Sequence, residues 1–224
     1  MNFSSCSSNF SKESQQLQKI IRESIKQERQ NLPSGYRTLA SMKIAKQIIS
    51  ALSKADARHI AVYLATPFEV DLNLLIEWGF QHQKNIYVPR IKILKNKENK
   101  ENKENEEDVS VLEFVLVTPS TQMESGKFGI REPKNSENDP IISVEALDVV
   151  VVPLVAFDEK LNRVGMGGGF YDRAFANLNK PRANTDKPLL IGCAFECQKV
   201  DQIIPNPWDI KLTQVVSEVT QYLG

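Results

Sequence analysis

The centre of the chain contains the run Ala146-Leu-Asp-Val-Val-Val-Val-Pro-Leu-Val-Ala-Phe157. A continuous run of β-branched residues is typical of a strand that is buried on both faces. Such strands belong mainly to parallel sheets that helices cover on both sides. We therefore predict that this run is a central parallel strand.

Helices and strands are predicted to alternate around that strand. The spacing of Leu17, Ile21 and Ile25 predicts an amphipathic helix that ends near Pro33. Ser34 is the predicted N-cap of a second helix. The face of this second helix that we expect to be buried carries Met42, Ala45, Ile49 and Leu52.

A third helix is predicted from Asp71, whose side chain can cap its own first turn. Further strands are predicted over residues 59–64, 85–90, 109–117, 189–195 and 214–219. This alternation predicts a three-layer α/β/α domain with a mostly parallel, Rossmann-like sheet.

The 224 residues fit one domain. We predict a disordered tail over residues 1–16, because it is rich in serine, and a single domain over residues 17–224. Residues 95–108 contain no apolar side chain, so we expect a solvated insertion between two strands. An interaction arm is the alternative for this insertion.

Composition narrows the possible functions. The 28 Lys and Arg residues balance the 28 Asp and Glu residues, so no overall field attracts nucleic acid or an anionic membrane. The longest apolar stretch, 149–157, is far short of the roughly 20 residues of a membrane helix. The odd number of cysteines, with no secretory signal, favours a reducing compartment. We expect a cytoplasmic monomer that acts on a small molecule.

A glycine-rich segment follows the central strand. Gly165, Met166, Gly167, Gly168 and Gly169 together form what we call the glycine turn, and a short helix is predicted after it. Glycines let the backbone approach a ligand closely, and a helix start adds N–H donors that suit a phosphate. No Gly-Lys-Ser/Thr follows, and the spacing also differs from the dinucleotide fingerprint. A tight turn and a phosphate cradle remain equally open on these grounds.

The residues around the turn resemble the signature of the 5-formyltetrahydrofolate cyclo-ligase family. The similarity lies in Pro153-Leu-Val-Ala-Phe-Asp158 followed by Arg163-Val-Gly-Met-Gly-Gly-Gly-Phe-Tyr-Asp-Arg173. Further segments that resemble the family are Tyr63-Leu64 with Glu69-Val-Asp71, Val88-Pro-Arg90, Phe128-Gly-Ile-Arg-Glu-Pro133, Trp208-Asp209 and Val215-Val-Ser-Glu218. The resemblance runs from about Leu17 to the C-terminus.

The resemblance implies both a fold and a reaction. The sheet of the family is similar to that of sugar-phosphate isomerases and CoA-transferases. The family converts 5-formyltetrahydrofolate into 5,10-methenyltetrahydrofolate with ATP and Mg²⁺, through a phosphorylated formyl (iminium phosphate) intermediate. An enzyme for such a reaction mainly aligns oxygen with phosphorus, neutralises charge and excludes water.

The resemblance also implies site residues on the nucleotide side. Arg22 and Asp172 are the expected catalytic residues. The residues expected to contact ATP are Lys19, Arg22, Gly165, Met166, Gly167, Gly168, Gly169, Phe170, Tyr171 and Asp172. The chain departs from the family pattern at Gln18, where the family has lysine, and at Phe170, where it usually has tyrosine.

On the folate side, the resemblance implies that Glu69 holds the pterin through its acceptor-only carboxylate. The residues expected to contact folate are Leu64, Glu69, Gly168, Gly169, Phe170 and Tyr171. Asp172 and Asp209 are the expected Mg²⁺ ligands, since a hard cation prefers carboxylate oxygen. Without the resemblance, Asp172 would be interpreted as a helix cap and Glu69 as an ordinary loop carboxylate.

Two other functions stay open at this point. A sugar-phosphate isomerase or acyl-CoA transferase would share the fold, because fold alone does not fix function. A non-catalytic binder of folate or nucleotide would keep the pocket without the reaction. Histidine chemistry and zinc are disfavoured, since His59 and His82 lie on different elements and Cys193 and Cys197 lack further ligands.

Overall fold

The computed structural model describes residues 4–94, 109–126, 129–136, 138–179 and 188–224. The helices are α1 (Ser4–Asn31), α2 (Ser34–Ala55), α3 (Asn73–Gln81) and α4 (Phe170–Phe175). The strands are β1 (His59–Val62), β2 (Asn85–Leu94), β3 (Val109–Val117), β4 (Met123–Ser125), β5 (Arg131–Pro133), β6 (Ile141–Ile142), β7 (Val149–Pro153), β8 (Ala156–Phe157), β9 (Arg163–Val164), β10 (Leu189–Cys193), β11 (Gln214–Val216) and β12 (Gln221–Leu223).

One large sheet organises the described residues. Its strand order is β12-β11-β10-β7-β1-β2-β3-β6. The pairs β11–β10, β10–β7, β7–β1 and β1–β2 are parallel, whereas the outer pairs are antiparallel. The prediction of an α/β fold with a mostly parallel sheet, and with β7 at its centre, is confirmed.

The valines of β7 explain how the sheet is buried. Val149 and Val151 pack in the core beneath α2 and α3, and Val150 and Val152 pack in the opposite core with Phe175. Successive side chains of a strand point to opposite faces, so a run of valines supplies both cores. The second face is covered by α4 and the 3-10 turn after it rather than by long helices.

The central strand is shorter than predicted. The sheet pairing of β7 ends at Pro153, which lies opposite Cys193. Proline lacks the N–H that a sheet ladder needs. The chain then leaves the sheet, and β8 pairs with β9 in a separate hairpin. The predicted strands over 59–64, 189–195 and 214–219 also end two or three residues early.

The first helix differs most from the prediction. Helix α1 begins at Ser4, within the residues predicted as a tail, 1–16, and residues 1–3 lie outside the described residues; the disorder of the tail stays a prediction. Ser14 is buried, and its hydroxyl donates to the carbonyl of Ile204 at 2.9 Å. The apolar face predicted around Leu17 is wrong at that residue, which is exposed, although Ile25 is buried.

The starts of the next two helices also differ in detail. The N-cap of α2 is Pro33 rather than Ser34, and its carbonyl accepts the first helical bond from the N–H of Arg37. The buried face of α2 includes Ala45 and Leu52 as predicted, but Met42 is exposed. The carboxylate of Asp71 accepts from the N–H of Asn73, where α3 begins.

The predicted insertion, residues 95–108, lies outside the described residues. The strands on either side of it, β2 and β3, form an antiparallel pair in which Leu94 lies opposite Val109. The solvated insertion itself stays a prediction. None of the helices in the described part of the chain has the length and apolar character of a membrane span.

The alternation of burial along β10 gives a matched pair of variants. Ile191 is 1% exposed between the sheet and the helices, whereas Leu189 in the same strand is 41% exposed. We expect Ile191→Ala to lower the free energy of unfolding by about 2–5 kcal/mol, because it removes buried methylenes and leaves a cavity. Leu189→Ala should change it by less than about 0.5 kcal/mol. Equal effects in urea denaturation would contradict the described register.

Candidate active site

The site lies at the carboxyl ends of the parallel strands, where open α/β sheets bind their ligands. The glycine turn comes after β7 and the β8–β9 hairpin, and the loop with Glu69 comes after β1. Helix α1 crosses this edge, where it contacts β8, β9 and the 3-10 turn Glu196–Gln198 after β10.

A buried carboxylate shapes the hairpin that leads to the glycine turn. Asp158 accepts from the backbone N–H and the side-chain amide of Asn162, both at 2.9 Å, and from the N–H of Ile203 at 3.0 Å. Beyond the hairpin, φ is +98° at Gly167 and +62° at Gly169. This region favours glycine, so the turn requires these residues at both positions.

Arg173 and Phe170 stabilise the turn from the side of α4. The guanidinium of Arg173 donates to the carbonyl of Gly168 at 2.9 Å and lies 5.0 Å from the centre of the Phe170 ring. A Cβ atom on Gly168 would lie 2.7 Å from that ring. Phe170 therefore packs directly on the turn, in a contact that needs no hydroxyl group.

Arg22 joins α1 to the glycine turn. Its Nε donates to the carbonyl of Gly165 at 2.7 Å, and its Nη2 donates to Oε1 of Gln18 at 3.1 Å. Burial lowers the pKa of Arg22, and the charge of Asp209 opposes this shift. Three residues from distant parts of the sequence, Arg22, Gly165 and Asp209, thus lie in one place.

Gln18 occupies the position where the family pattern has lysine. It is buried, and its Nε2 donates to Oδ2 of Asp209 at 3.4 Å and to the carbonyl of Ile204 at 3.3 Å. Its amide therefore connects Arg22 to Asp209 within the chain. It does not supply a second positive charge beside Arg22.

Asp172 forms an ion pair with a buried arginine. Nη2 of Arg163 lies 2.7 Å from Oδ1 of Asp172, and Nη1 of Arg163 donates to the carbonyl of Ile210 at 2.9 Å. The N–H of Ile210 donates to the same Oδ1 at 3.2 Å. This arrangement also places Asp209, the neighbour of Ile210, close to Asp172.

Glu69 and Leu64 line a cavity of about 840 Å³ at the carboxyl end of β1. Oε2 of Glu69 accepts from the N–H of Thr66 at 2.8 Å and from its hydroxyl at 2.7 Å. The carboxylate is therefore held in one orientation by its own loop. Phe68 and Arg37 lie on the wall of the same cavity and stack on each other.

Tyr171 lies in the first turn of α4, directly after the glycine turn, and the charge of Glu69 acts on it. Burial raises the pKa of the Tyr171 phenol, Glu69 adds to the rise, and Arg163 opposes it. Burial also raises the pKa of Tyr63, with Cys193, Glu69 and Tyr171 adding and Arg29 opposing. The charge of Glu69 thus acts on both tyrosines, and an arginine opposes it in each case.

The predicted residues form two neighbouring groups. The first contains the four glycines of the turn, Arg22, Phe170, Asp172 and Asp209, and the second contains Leu64 and Glu69, whose charge acts on Tyr171. Lys19 and Met166 are exposed, and no contact places either of them in the groups. The roles of all these residues remain predictions.

Asp172 and Asp209 suit a magnesium ion that is held partly by substrate phosphates. They do not form a metal site made of protein ligands alone. No group of three or more His, Cys, Asp or Glu side chains that could hold a metal exists among the described residues. Mg²⁺ usually binds through one or two carboxylates together with substrate phosphates, and keeps several waters. Asp172 accepts from the Ile210 N–H, and Asp209 precedes Ile210 in the chain. These two carboxylates match that requirement.

Two residues of this site, Arg163 and Asn206, were not predicted from the sequence. Arg163 was part of the quoted motif, but its role as the partner of Asp172 depends on a fold that returns residue 210 to β9. Asn206, whose backbone and side chain both donate to Asp209, lies in a loop without a recognisable pattern. A basic residue within a short buried hairpin was the only available signal for Arg163.

The Arg163–Asp172 pair predicts a stability effect. The Arg163 side chain is 4% exposed and that of Asp172 is 21% exposed. We expect Arg163→Met to lower the free energy of unfolding by about 3 kcal/mol, because it leaves a mostly buried carboxylate without its partner. The exposed Lys160 of the same hairpin gives a control, Lys160→Met, which should change stability by less than about 0.5 kcal/mol. Indistinguishable urea midpoints would contradict a stabilising pair.

Known proteins match this chain along most of its length. The model of the 5-formyltetrahydrofolate cyclo-ligase family matches residues 14–218. A protein of Haemophilus influenzae named 5-formyltetrahydrofolate cyclo-ligase is 30% identical over 202 residues, which are 90% of this chain and 97% of that protein. The protein of the same name from Escherichia coli K12 is 30% identical over 86% of this chain and 96% of its own.

Solved structures agree with these relatives. The NMR structure of Aquifex aeolicus 5,10-methenyltetrahydrofolate synthetase has a TM-score of 0.70 and 25% identity, and the match covers 92% of both chains. The corresponding Mycoplasma pneumoniae synthetase, 21% identical with a TM-score of 0.63, supports the fold alone. The sequence and structural matches together show that this chain belongs to the 5-formyltetrahydrofolate cyclo-ligase family.

Proposed function

We propose that this chain converts 5-formyltetrahydrofolate into 5,10-methenyltetrahydrofolate with ATP and Mg²⁺, and releases ADP and phosphate. The observation that supports the proposal most is that two groups are linked through Tyr171, which follows the glycine turn in the chain and feels the charge of Glu69. One is a cavity with the fixed carboxylate Glu69, and the other is a glycine turn with Arg22 and two carboxylates. The names of the relatives supply the substrate.

ATP is needed because a formamide oxygen is a poor leaving group. In the proposed reaction the formyl oxygen attacks the γ-phosphorus, the bond from phosphorus to the β–γ bridging oxygen breaks, and ADP leaves with the electron pair. The folate N10 then attacks the formyl carbon and loses its proton. The carbon–oxygen bond breaks, phosphate leaves, and the methenyl ring is closed.

On the nucleotide side, the chain mainly positions charge. The glycine turn presents backbone to the phosphates at close range, and Arg22, fixed at the Gly165 carbonyl, adds a positive charge. Lys19 is exposed on α1 and reaches only the outer part of such a ligand. Phe170 and Tyr171 shape the junction of ATP and folate.

Asp172 and Asp209 are the residues that would hold Mg²⁺. Oδ1 of Asp172 is engaged by Arg163 and Ile210, so we assign Oδ2 to the metal. Bound Mg²⁺ supplies neutralisation of charge on the transferring phosphate. The contribution of the chain is to keep the two carboxylates in place through Arg163, Gln18 and Asn206.

On the folate side, Glu69 is oriented by Thr66 and offers acceptors to the amidine-like N–H groups of the pterin. Leu64 provides an apolar wall of the same cavity. The Tyr171 phenol is a neutral hydrogen-bond donor at physiological pH, and burial raises its pKa further. This arrangement orients the formyl group towards the glycine turn.

The direct test is to incubate the pure protein with 5-formyltetrahydrofolate, ATP and Mg²⁺, and to follow the absorbance of the methenyl product. We expect product only when all three are present. Folate binding without product would instead identify a non-catalytic binder. Absence of both folate binding and turnover would overturn the proposal.

Two variants separate the metal and pterin roles. Asp172→Asn should lower kcat by about 100-fold or more while it changes folate affinity little, because Asn still accepts from Arg163 but is a poor Mg²⁺ ligand. Glu69→Gln should mainly raise the KM for folate. Steady-state kinetics and folate titration measure the two effects. Equal losses of turnover and folate binding in Asp172→Asn would argue against a metal role.

A further inference from the structure

Arg29 is a buried charge without a partner. It lies on α1 and is 7% exposed. Its Nε is the single buried side-chain nitrogen or oxygen among the described residues that has no hydrogen-bond partner. No carboxylate in that part of the chain forms an ion pair with Arg29. None of the roles discussed so far involves this residue.

The missing partner is expected to be an anion from outside the chain. A guanidinium stays charged at physiological pH and presents five N–H donors in a planar fork. Removing such a group from water is costly unless an acceptor replaces the water. Proteins tolerate such a cost at functional sites, where a ligand provides the acceptor.

The position of Arg29 places this anion beside the candidate active site. Arg29 lies two turns beyond Arg22 on the same face of α1, about 10 Å along the helix axis. Burial raises the pKa of Tyr63, Glu69 raises it further, and Arg29 lowers it. Tyr63, on which the charge of Arg29 acts, follows β1 and lines the cavity together with Glu69.

The chemistry of the substrates selects one anion. Folate carries its carboxylates at the far end of a p-aminobenzoyl spacer, whereas its formyl group is on the ring that Glu69 would hold. A cation that acts on Tyr63, in the wall of the cavity with Glu69, is therefore nearer to the formyl group than to the carboxylates. The remaining anion is the phosphoryl group that reaches the formyl oxygen.

We propose that Arg29 binds the phosphoryl group as it is transferred to the formyl oxygen, and then the inorganic phosphate that leaves. The proposal rests on the proposed function of this site. As the bond from phosphorus to ADP breaks and the bond to the formyl oxygen forms, charge shifts over the equatorial oxygens. The planar guanidinium of Arg29 has free N–H donors and can stabilise two of those oxygens at once.

The stability of the ligand-free protein separates this role from a structural one. Arg29→Met removes an unpaired buried charge, so we expect its Tm to rise by about 2–4 °C. If Arg29 instead stabilised the fold, Arg29→Met would lower the Tm. Lys26→Met, an exposed position on the same helix, is the control and should leave Tm unchanged within about 1 °C.

Inorganic phosphate is the probe for the site itself. We expect phosphate to raise the Tm of the wild type and of Lys26→Met, and to leave that of Arg29→Met unchanged. In the methenyl assay, kcat of Arg29→Met should fall about 100-fold or more, with folate KM within about threefold. Phosphate inhibition should weaken in parallel.

The outcomes distinguish the two proposals. A wild type that forms product, with an Arg29→Met variant that keeps its turnover and its stabilisation by phosphate, overturns the role of Arg29 alone. A wild type without turnover overturns the proposed function, and the phosphate melts then still test the anion site. A wild type that phosphate does not stabilise, or a variant with a lower ligand-free Tm, also overturns the role of Arg29.

Discussion

The buried Arg163 is the constraint on which the rest of the site depends. One guanidinium bonds the Ile210 carbonyl with Nη1 and the Asp172 carboxylate with Nη2, so it ties β9 to α4 and to the segment before β11. The glycine turn is the connection between β9 and α4, and both of its ends are therefore fixed. A loop that must approach a ligand closely cannot be held by bulky side chains of its own. Its geometry is held instead by an ion pair placed beneath it.

The first helix contributes a second constraint, of an unusual kind. The stripe of α1 that faces the protein is mostly polar. It contains Ser14, Gln18, Arg22 and Arg29, with Ile21 and Ile25 as its apolar members. Amphipathic helices normally turn their apolar stripe inward. Here Leu17 and Ile20 are exposed, because the helix covers a polar edge of the sheet rather than a hydrophobic core. The same contacts that dock α1 thus bring two arginines to the place where we propose that phosphate is transferred.

Much of the fold could be predicted from the sequence, because β-branched runs and helical spacing report local burial. The valines of β7 identified the central parallel strand and the two cores on either side of it. The same rules failed for α1, where tertiary contacts to Ile204 and Asp209 select polar residues for the inside. The motif identified the glycine turn and Asp172. It could not identify Arg163 or Arg29, because both depend on which distant segments meet at the carboxyl edge.

The central claim is that the formyl oxygen attacks the γ-phosphorus of ATP at this edge. The most direct measurement uses 5-formyltetrahydrofolate with ¹⁸O in the formyl group and mass spectrometry of the phosphate that is released. We expect one ¹⁸O atom in the phosphate for each methenyl product formed, because the carbon–oxygen bond breaks after phosphoryl transfer. Unlabelled phosphate, with ¹⁸O released as water, would contradict it.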